Sequence, residues 1–482
     1  MALRSVRSRS AIRFLTVAFA EMAFLASVGR VNGADEADTQ GGGPPVRPSI
    51  LFNRWQEDWS VLSDPEVPRE PGDALKYIPL SADDPKTYLS LGAELRERFE
   101  ANDATNFGVG SNRNQDYIIS RAEVDADLRI ASQIQLFAQV QSDNAFDKQV
   151  LTPVDQDRSD LEQAFVALTE PLDGGMLKVR LGRQEFGFDL QRFVSVRDGP
   201  NVRQAYDAAW FDYEHGLCRY IAFYSHPVQY RDLRPFDDDS NNRLAYGGFR
   251  VERKIFESAR VAAYFSRFTQ AGARFPSIRG NERRDILDVH FSGTRGPLDW
   301  DVEAMNQTGQ IATESIEAWA FGSIEGYTWA EALWKPRLGL QIDAASGDKK
   351  PNDHQLDTFN PLFPNGYYFT LAAYTTYANL IHFSPSLTIH PLPRLNVKTA
   401  VGLQWRETTQ DAVYTLPLIP VSGTAGHPGF YTGTYGQLRI DYQATSHVAV
   451  ALEVVHFDLG ATVREAGGYD SDYFGAEVKF GW

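Results

Sequence analysis

From Tyr88 to the end of the chain, charged and apolar residues alternate almost one by one, and this alternation constrains the fold more than any other feature. Between Tyr117 and Ile130, apolar Ile118, Ala122, Val124, Ala126, Leu128 and Ile130 take even positions, while Arg121, Glu123, Asp125, Asp127 and Arg129 take odd ones. Successive side chains of a strand point to opposite faces, so the stretch reads as a β-strand with one apolar and one charged face. The pattern recurs. Ile134, Leu136, Ala138 and Val140 alternate with Gln133, Gln135, Gln139 and Gln141; Leu177, Val179 and Leu181 with Lys178 and Arg180; Leu438, Ile440 and Tyr442 with Gln437, Arg439, Asp441 and Gln443.

A soluble sandwich also alternates, apolar inside and polar outside. Two features favour a membrane instead. The polar face is rich in Arg, Asp and Gln, as a wet interior requires, and the apolar face persists over about 395 residues, which a single sandwich rarely sustains. Segments of about ten residues separated by turn signals suit tilted membrane strands. The expected fold is therefore all-β, a transmembrane antiparallel up-and-down β-barrel. At about 22 residues per strand and connection it has about 18 strands. The final strand, Asp472 to Trp482, places Phe474, Ala476, Val478, Phe480 and Trp482 on one face and ends on an aromatic. That ending resembles the C-terminal strand of outer-membrane barrel proteins.

The remaining chain agrees with export. Residues 1–33 read as a signal peptide, with Arg4, Arg7, Arg9 and Arg13 ahead of an apolar stretch from Phe14 to Val28 and small residues before Ala34. Its removal takes five Arg and one Glu and lowers the formal net charge from -16 to -20. No later run approaches the roughly 18 apolar residues of a membrane helix. Residues 34–87, broken by Gly41–Gly43 and many prolines, form a lead-in that either packs at the barrel mouth or tethers it. The acidic balance argues against nucleic acid as a partner. Cys218, the single cysteine, excludes an internal disulfide and reads as a small buried apolar residue.

Parity supplies candidate pore residues. Arg96 and Arg98 share a face with Glu94 and Glu100, opposite Leu91, Ala93 and Leu95; Arg121 and Arg129 share one with three acids; Lys178 and Arg180 oppose Leu177, Val179 and Leu181. An Arg facing lipid at mid-depth costs about 2–4 kcal/mol, so these point inward. Arg183 breaks the alternation, and a bulge at Gly182 would return it to the interior. Arg197 and Arg203 lie in a polar connection that reaches the mouth. For each, a structural ion pair between strands is the alternative. Asp237-Asp238-Asp239 reads as a solvated loop tip or a divalent-cation binder at the outer surface. Gly322-Ser323-Ile324-Glu325-Gly326 lacks a nucleophile-elbow order, and no His-Glu-x-x-His pair or phosphate loop occurs, so neither an enzyme nor a metal or cofactor is expected.

Four stretches resemble the alginate-export family: Trp59–Leu62 through Leu75–Leu80; Leu89–Glu100; Gly182–Phe186 with Val196–Arg203 and Tyr206–Ala208; and Ser346–Asp348 with Thr358–Pro364. With the terminal strand, the resemblance spans about residues 55–482. It implies an outer-membrane barrel, residues 88–482, that passes an anionic polysaccharide such as alginate through an arginine-lined lumen. It also implies contact with outer-membrane lipid, periplasmic delivery proteins as partners and a monomeric channel. Alternatives are a porin for small sugars or carboxylates, an outer-membrane barrel enzyme, and a secreted soluble β protein.

Overall fold

The computed structural model describes residues 47–110, 114–256 and 258–482; the expected signal peptide, 1–33, and residues 34–46 of the lead-in lie outside them. Eighteen long strands follow one another: β1 (Tyr88–Asn102), β2 (Gln115–Ile130), β3 (Ile134–Phe146), β4 (Asp157–Leu172), β5 (Gly175–Gln184), β6 (Tyr206–His215), β7 (Cys218–Gln229), β8 (Leu244–Phe256) and β9 (Ala259–Arg274) make the first half. The second half is β10 (Arg279–Arg295), β11 (Leu298–Ile311), β12 (Glu314–Thr328), β13 (Arg337–Ala345), β14 (Leu380–Leu392), β15 (Leu395–Trp405), β16 (Tyr431–Gln443), β17 (Val448–Leu459) and β18 (Ser471–Gly481). Each pairs antiparallel with the next. β18 then returns to β1, with Glu94 opposite Gly481 and Asn102 opposite Tyr473, so the sheet closes into an antiparallel barrel of 18 strands.

The barrel is apolar outside and charged inside. Val124 is 56% exposed, whereas its neighbours Arg121 and Glu123 are 0% and 3% exposed. The same inversion runs round the wall, where Leu181, Phe249, Leu287, Phe383, Val454 and Phe474 are exposed and Arg250, Arg284, Gln404 and Glu453 are buried. In water this surface would be unstable; against lipid it is the favoured arrangement.

At one end the strands are joined by short turns such as Asp173-Gly174, with φ of 46° and 78° at its two residues. Positive φ at both centres matches the twist of the flanking strands, and glycine at the second removes the steric cost. Cys218 opens β7 beside another such turn. It is half-buried rather than buried as expected, because it shares the outward side of β7 with exposed Tyr220 and Tyr224. At the opposite end the connections are longer, notably 185–205, 346–379 and 406–430.

The lead-in packs inside the short-turn end. Trp59, Leu62 and Val67 are buried with Tyr88, and the Tyr88 hydroxyl accepts the Trp59 N–H at 3.0 Å. Arg54 bridges Asp125 of β2, at 3.6 Å, and the carbonyl oxygen of Trp482, at 2.5 Å. Leu287→Arg places a cation on the outer face of β10. Unfolding by urea in lipid vesicles is expected to show a loss of about 2–4 kcal/mol; an unchanged midpoint contradicts the outward assignment.

Candidate functional site

Two connections fold back into the barrel from the long-loop end. Residues 185–205, between β5 and β6, meet residues 346–379, between β13 and β14, in a parallel bridge of Val194 and Phe363. The Phe363 N–H donates to the Phe193 carbonyl at 2.9 Å and the Ser195 N–H to the Phe363 carbonyl at 3.0 Å. Aromatic burial fixes the pair: Phe186 stacks on Tyr206 at 4.2 Å, and Phe193 lies 4.9 Å from Tyr377. Asn201 pins the first connection to the wall through its amide nitrogen, which donates to the carbonyls of Ser120, Asn144 and Asp155 at 3.0–3.2 Å. A buried backbone must be satisfied this way wherever it leaves the sheet.

Cations of the wall converge on the first connection. Arg121 is ion-paired with Asp198, and Lys479 of β18 lies 3.6 Å from the same carboxylate. Arg96 pairs with Glu477 at 2.7 Å and donates to the Gly199 and Pro200 carbonyls. Arg203 joins Glu123 at 2.8 Å and Glu185 at 2.7 Å. Burial alone would raise the Asp198 carboxyl, but Lys479, Arg121, Arg96 and Arg203 outweigh it and hold the group well below the usual carboxylate range.

The other expected residues spread round the wall. Arg98 is enclosed by Glu100, Glu453 and Glu477, with the Tyr473 hydroxyl at 2.6 Å. Arg129 pairs with Asp127 at 3.0 Å and donates to the Trp55 and Glu57 carbonyls of the lead-in. Arg180 lies over the Trp55 ring at 4.2 Å. Lys178 pairs with Glu214 at 3.1 Å near the short-turn end, where both side chains are about 40% exposed. Arg197 donates to Gln204 at 3.2 Å, and burial lowers its pKa.

The bulge expected at Gly182 is absent. β5 runs in unbroken register, Leu181 opposite Val166, Gly182 opposite Phe165 and Arg183 opposite Ala164, so Arg183 shares a side with outward Leu181. It pairs there with Asp207 at 3.0 Å, under the connection 230–243. The register breaks lie in β4 instead.

Further cations escaped the sequence reading. Arg192 pairs with Asp301 and Glu303 and donates to the Tyr368 hydroxyl; Arg250 is bidentate to Asp189 at 2.6 and 2.8 Å. Arg250 and Lys479 alternate with outward Phe249 and Phe480, so parity carries a signal for both. Arg192 sits in a connection and has no such signal.

Residues 87–477 match the alginate export family. The chain belongs to the alginate export family. Solved barrels of Pseudomonas aeruginosa share the fold. OpdK is 11% identical, with 82% of this chain and 98% of that chain covered and a TM-score of 0.56. OccK5 (OpdH) is 11% identical over 83% and 98%, TM-score 0.53. OccK2 (OpdF), determined in complex with glucuronate, is 12% identical over 82% and 96%, TM-score 0.53. No curated protein sequence matches the chain. As a family member the protein is an outer-membrane β-barrel channel. Bacterial outer-membrane barrels carry short turns on the periplasmic side and longer loops on the extracellular side. The two inward connections carry Val196–Arg203 from the third stretch of the family resemblance and Ser346–Asp348 with Thr358–Pro364, the fourth.

Removing one partner of a buried pair strands the other charge. Arg203→Ala is expected to lower stability in vesicles by about 3–5 kcal/mol, against under about 1 kcal/mol for Lys178→Ala. Urea titration of both variants checks this, and equal losses contradict it.

Proposed function

We propose that this alginate export family channel conducts an anionic polysaccharide rich in uronate carboxylates, with Arg96, Arg121, Arg203 and Lys479 as its contact points. The observation that carries the reading is Asp198. A carboxylate of the chain itself is ion-paired with Arg121 and lies 3.6 Å from Lys479, as a passing uronate carboxylate would be. Guanidinium groups suit this task because they stay charged and can pair a carboxylate with two hydrogen bonds. Transport also needs release, and the neighbouring acids Glu94, Glu123 and Glu477 keep each cation partly satisfied, so that attraction stays weak and repeated. Asp198 then acts as a resident competitor that a polymer displaces unit by unit. Arg98, Arg129, Lys178, Arg180 and Arg197 belong to the same charged interior, and Arg183 does not.

Passage outward implies delivery proteins at the periplasmic end, where the lead-in occupies the mouth. Closure needs no second subunit, which favours a monomer. A porin for small carboxylates is the second reading. It is favoured by the likeness to OccK2, a barrel determined in complex with glucuronate.

Current block in planar bilayers separates the two. Oligouronates are expected to block the wild-type channel and neutral oligosaccharides of equal length to leave it open. Asp198→Asn should lower the blocking concentration about tenfold, and Arg121→Gln should raise it similarly. Permeation of glucuronate without block by longer oligomers assigns the channel to small carboxylates, and equal block by neutral chains contradicts both readings.

A further inference from the structure

At the outward ends of β3 and β4 the register shifts twice. Gln139 stands opposite Gln163 but Val140 opposite Leu161, and Gln141 stands opposite Asp160 but Asp143 opposite Asp157. Arg158 and Ser159 therefore share the single Ser142, and Ser159 takes a left-handed conformation with φ of 66°. A bulge re-aims the side chains that flank it. Here it brings Asp157 and Asp160, three residues apart, to the inner face together, with Asp143 and Gln141 directly across. The connection 230–243 lies over this place. Its Phe236 N–H donates to the Ser159 carbonyl at 3.1 Å and its Asp237 N–H to the Asp160 carboxylate at 2.8 Å. It thereby adds a third carboxylate, and one oxygen each of Asp157, Asp160 and Asp238 fall within 4.8 Å of one another.

Independent of that cluster are two buried side chains on the facing strand whose oxygens have no hydrogen-bond partner. Asp143 is 0% exposed, and neither of its oxygens has a hydrogen-bond partner. Directly opposed residues of an antiparallel pair hold their Cβ atoms about 5 Å apart on one face, so Asp143 stands beside Asp157 on the inner face. Gln141 is 3% exposed; its amide nitrogen donates to Asp157 at 3.3 Å while its amide oxygen is unpartnered. Arg183 alongside is engaged by Asp207 and by the carbonyl oxygen of Asp238. Burying several carboxylates without a counter-charge is costly, and a bound cation removes the cost.

We propose that Asp143, Asp157, Asp160 and Asp238, with the amide oxygen of Gln141 after rotation of its amide, bind one Ca²⁺ that staples the connection 230–243 to β4. The donors are all oxygen, which excludes preference for softer metals. The geometry is irregular and offers more donors than the near-octahedral, water-rich shell of Mg²⁺ uses, whereas Ca²⁺ accepts 6–8 oxygens in variable arrangement. The site faces the extracellular side, where dissociation constants of about 10⁻⁴–10⁻³ M suffice.

Calorimetric titration of the full chain in detergent with CaCl₂, after EGTA treatment, tests the site. One Ca²⁺ per chain is expected, and EGTA should speed tryptic cleavage at Arg231 and Arg234. Asp238→Asn and Asp143→Asn should each weaken binding about tenfold or more, while Asp239→Asn, at a residue paired with Arg231, should leave it unchanged. Heat-shifted gel mobility verifies that each variant is folded, and if Asp238→Asn fails to fold, Asp143→Asn decides. Absence of saturable Ca²⁺ binding in the wild type, or wild-type affinity in the folded Asp variants, overturns the proposal.

Discussion

The pairing of β1 with β18 is the contact on which the rest of the molecule depends. In hydrocarbon there is no water to satisfy an open strand edge, so a spanning sheet must close on itself. Nine residues of β1, Glu94 to Asn102, meet Gly481 to Tyr473. The end of the chain is tied a second time, since Trp482 and Ala93 exchange backbone hydrogen bonds of 2.8 Å and Arg54 holds the Trp482 carbonyl. First strand, last strand and lead-in are thus one assembly.

Closure sets the terms for the interior. Arginines that cannot face lipid are enclosed, and an enclosed guanidinium needs partners. Arg98 has three carboxylates, Arg203 two, and Arg250 a bidentate Asp189. The acidic balance of the chain, awkward for a path of anions, is in part the set of counter-charges for these cations. The inward connections use the same chemistry, Asp198 and Asp189 reaching down to Arg121 and Arg250 while their aromatic residues pack together. Strands supply the cations, and the first inward connection supplies carboxylates that pair with them.

Period-two alternation made the wall legible. Arg121, Glu123, Asp125 and Asp127 fall inside as parity requires, and about 18 strands became 18. Parity fails where the ladder slips, and a slip depends on the partner strand. Nothing local in Gly182-Arg183 reveals that the bulges lie in β4, which is why Arg183 was expected inside and stands outside. Asp237–Asp239 reads as a solvated tip for the same reason, because only tertiary contact with Asp160 half-buries its middle member. The inward folding of 185–205 and 346–379 rests on contacts such as Val194 with Phe363, about 170 residues apart, beyond the reach of local patterns. The lead-in was ambiguous because prolines and tryptophans suit a tether as well as a plug.

The sign of the charge carried through the interior is the central question. The direct measurement is the reversal potential of the purified channel in a planar bilayer across a KCl gradient at neutral pH. A potential on the anion side is the predicted result, since Arg96, Arg121, Arg203 and Lys479 would then govern the path; cation selectivity would contradict the account and leave their ion pairs a purely structural role.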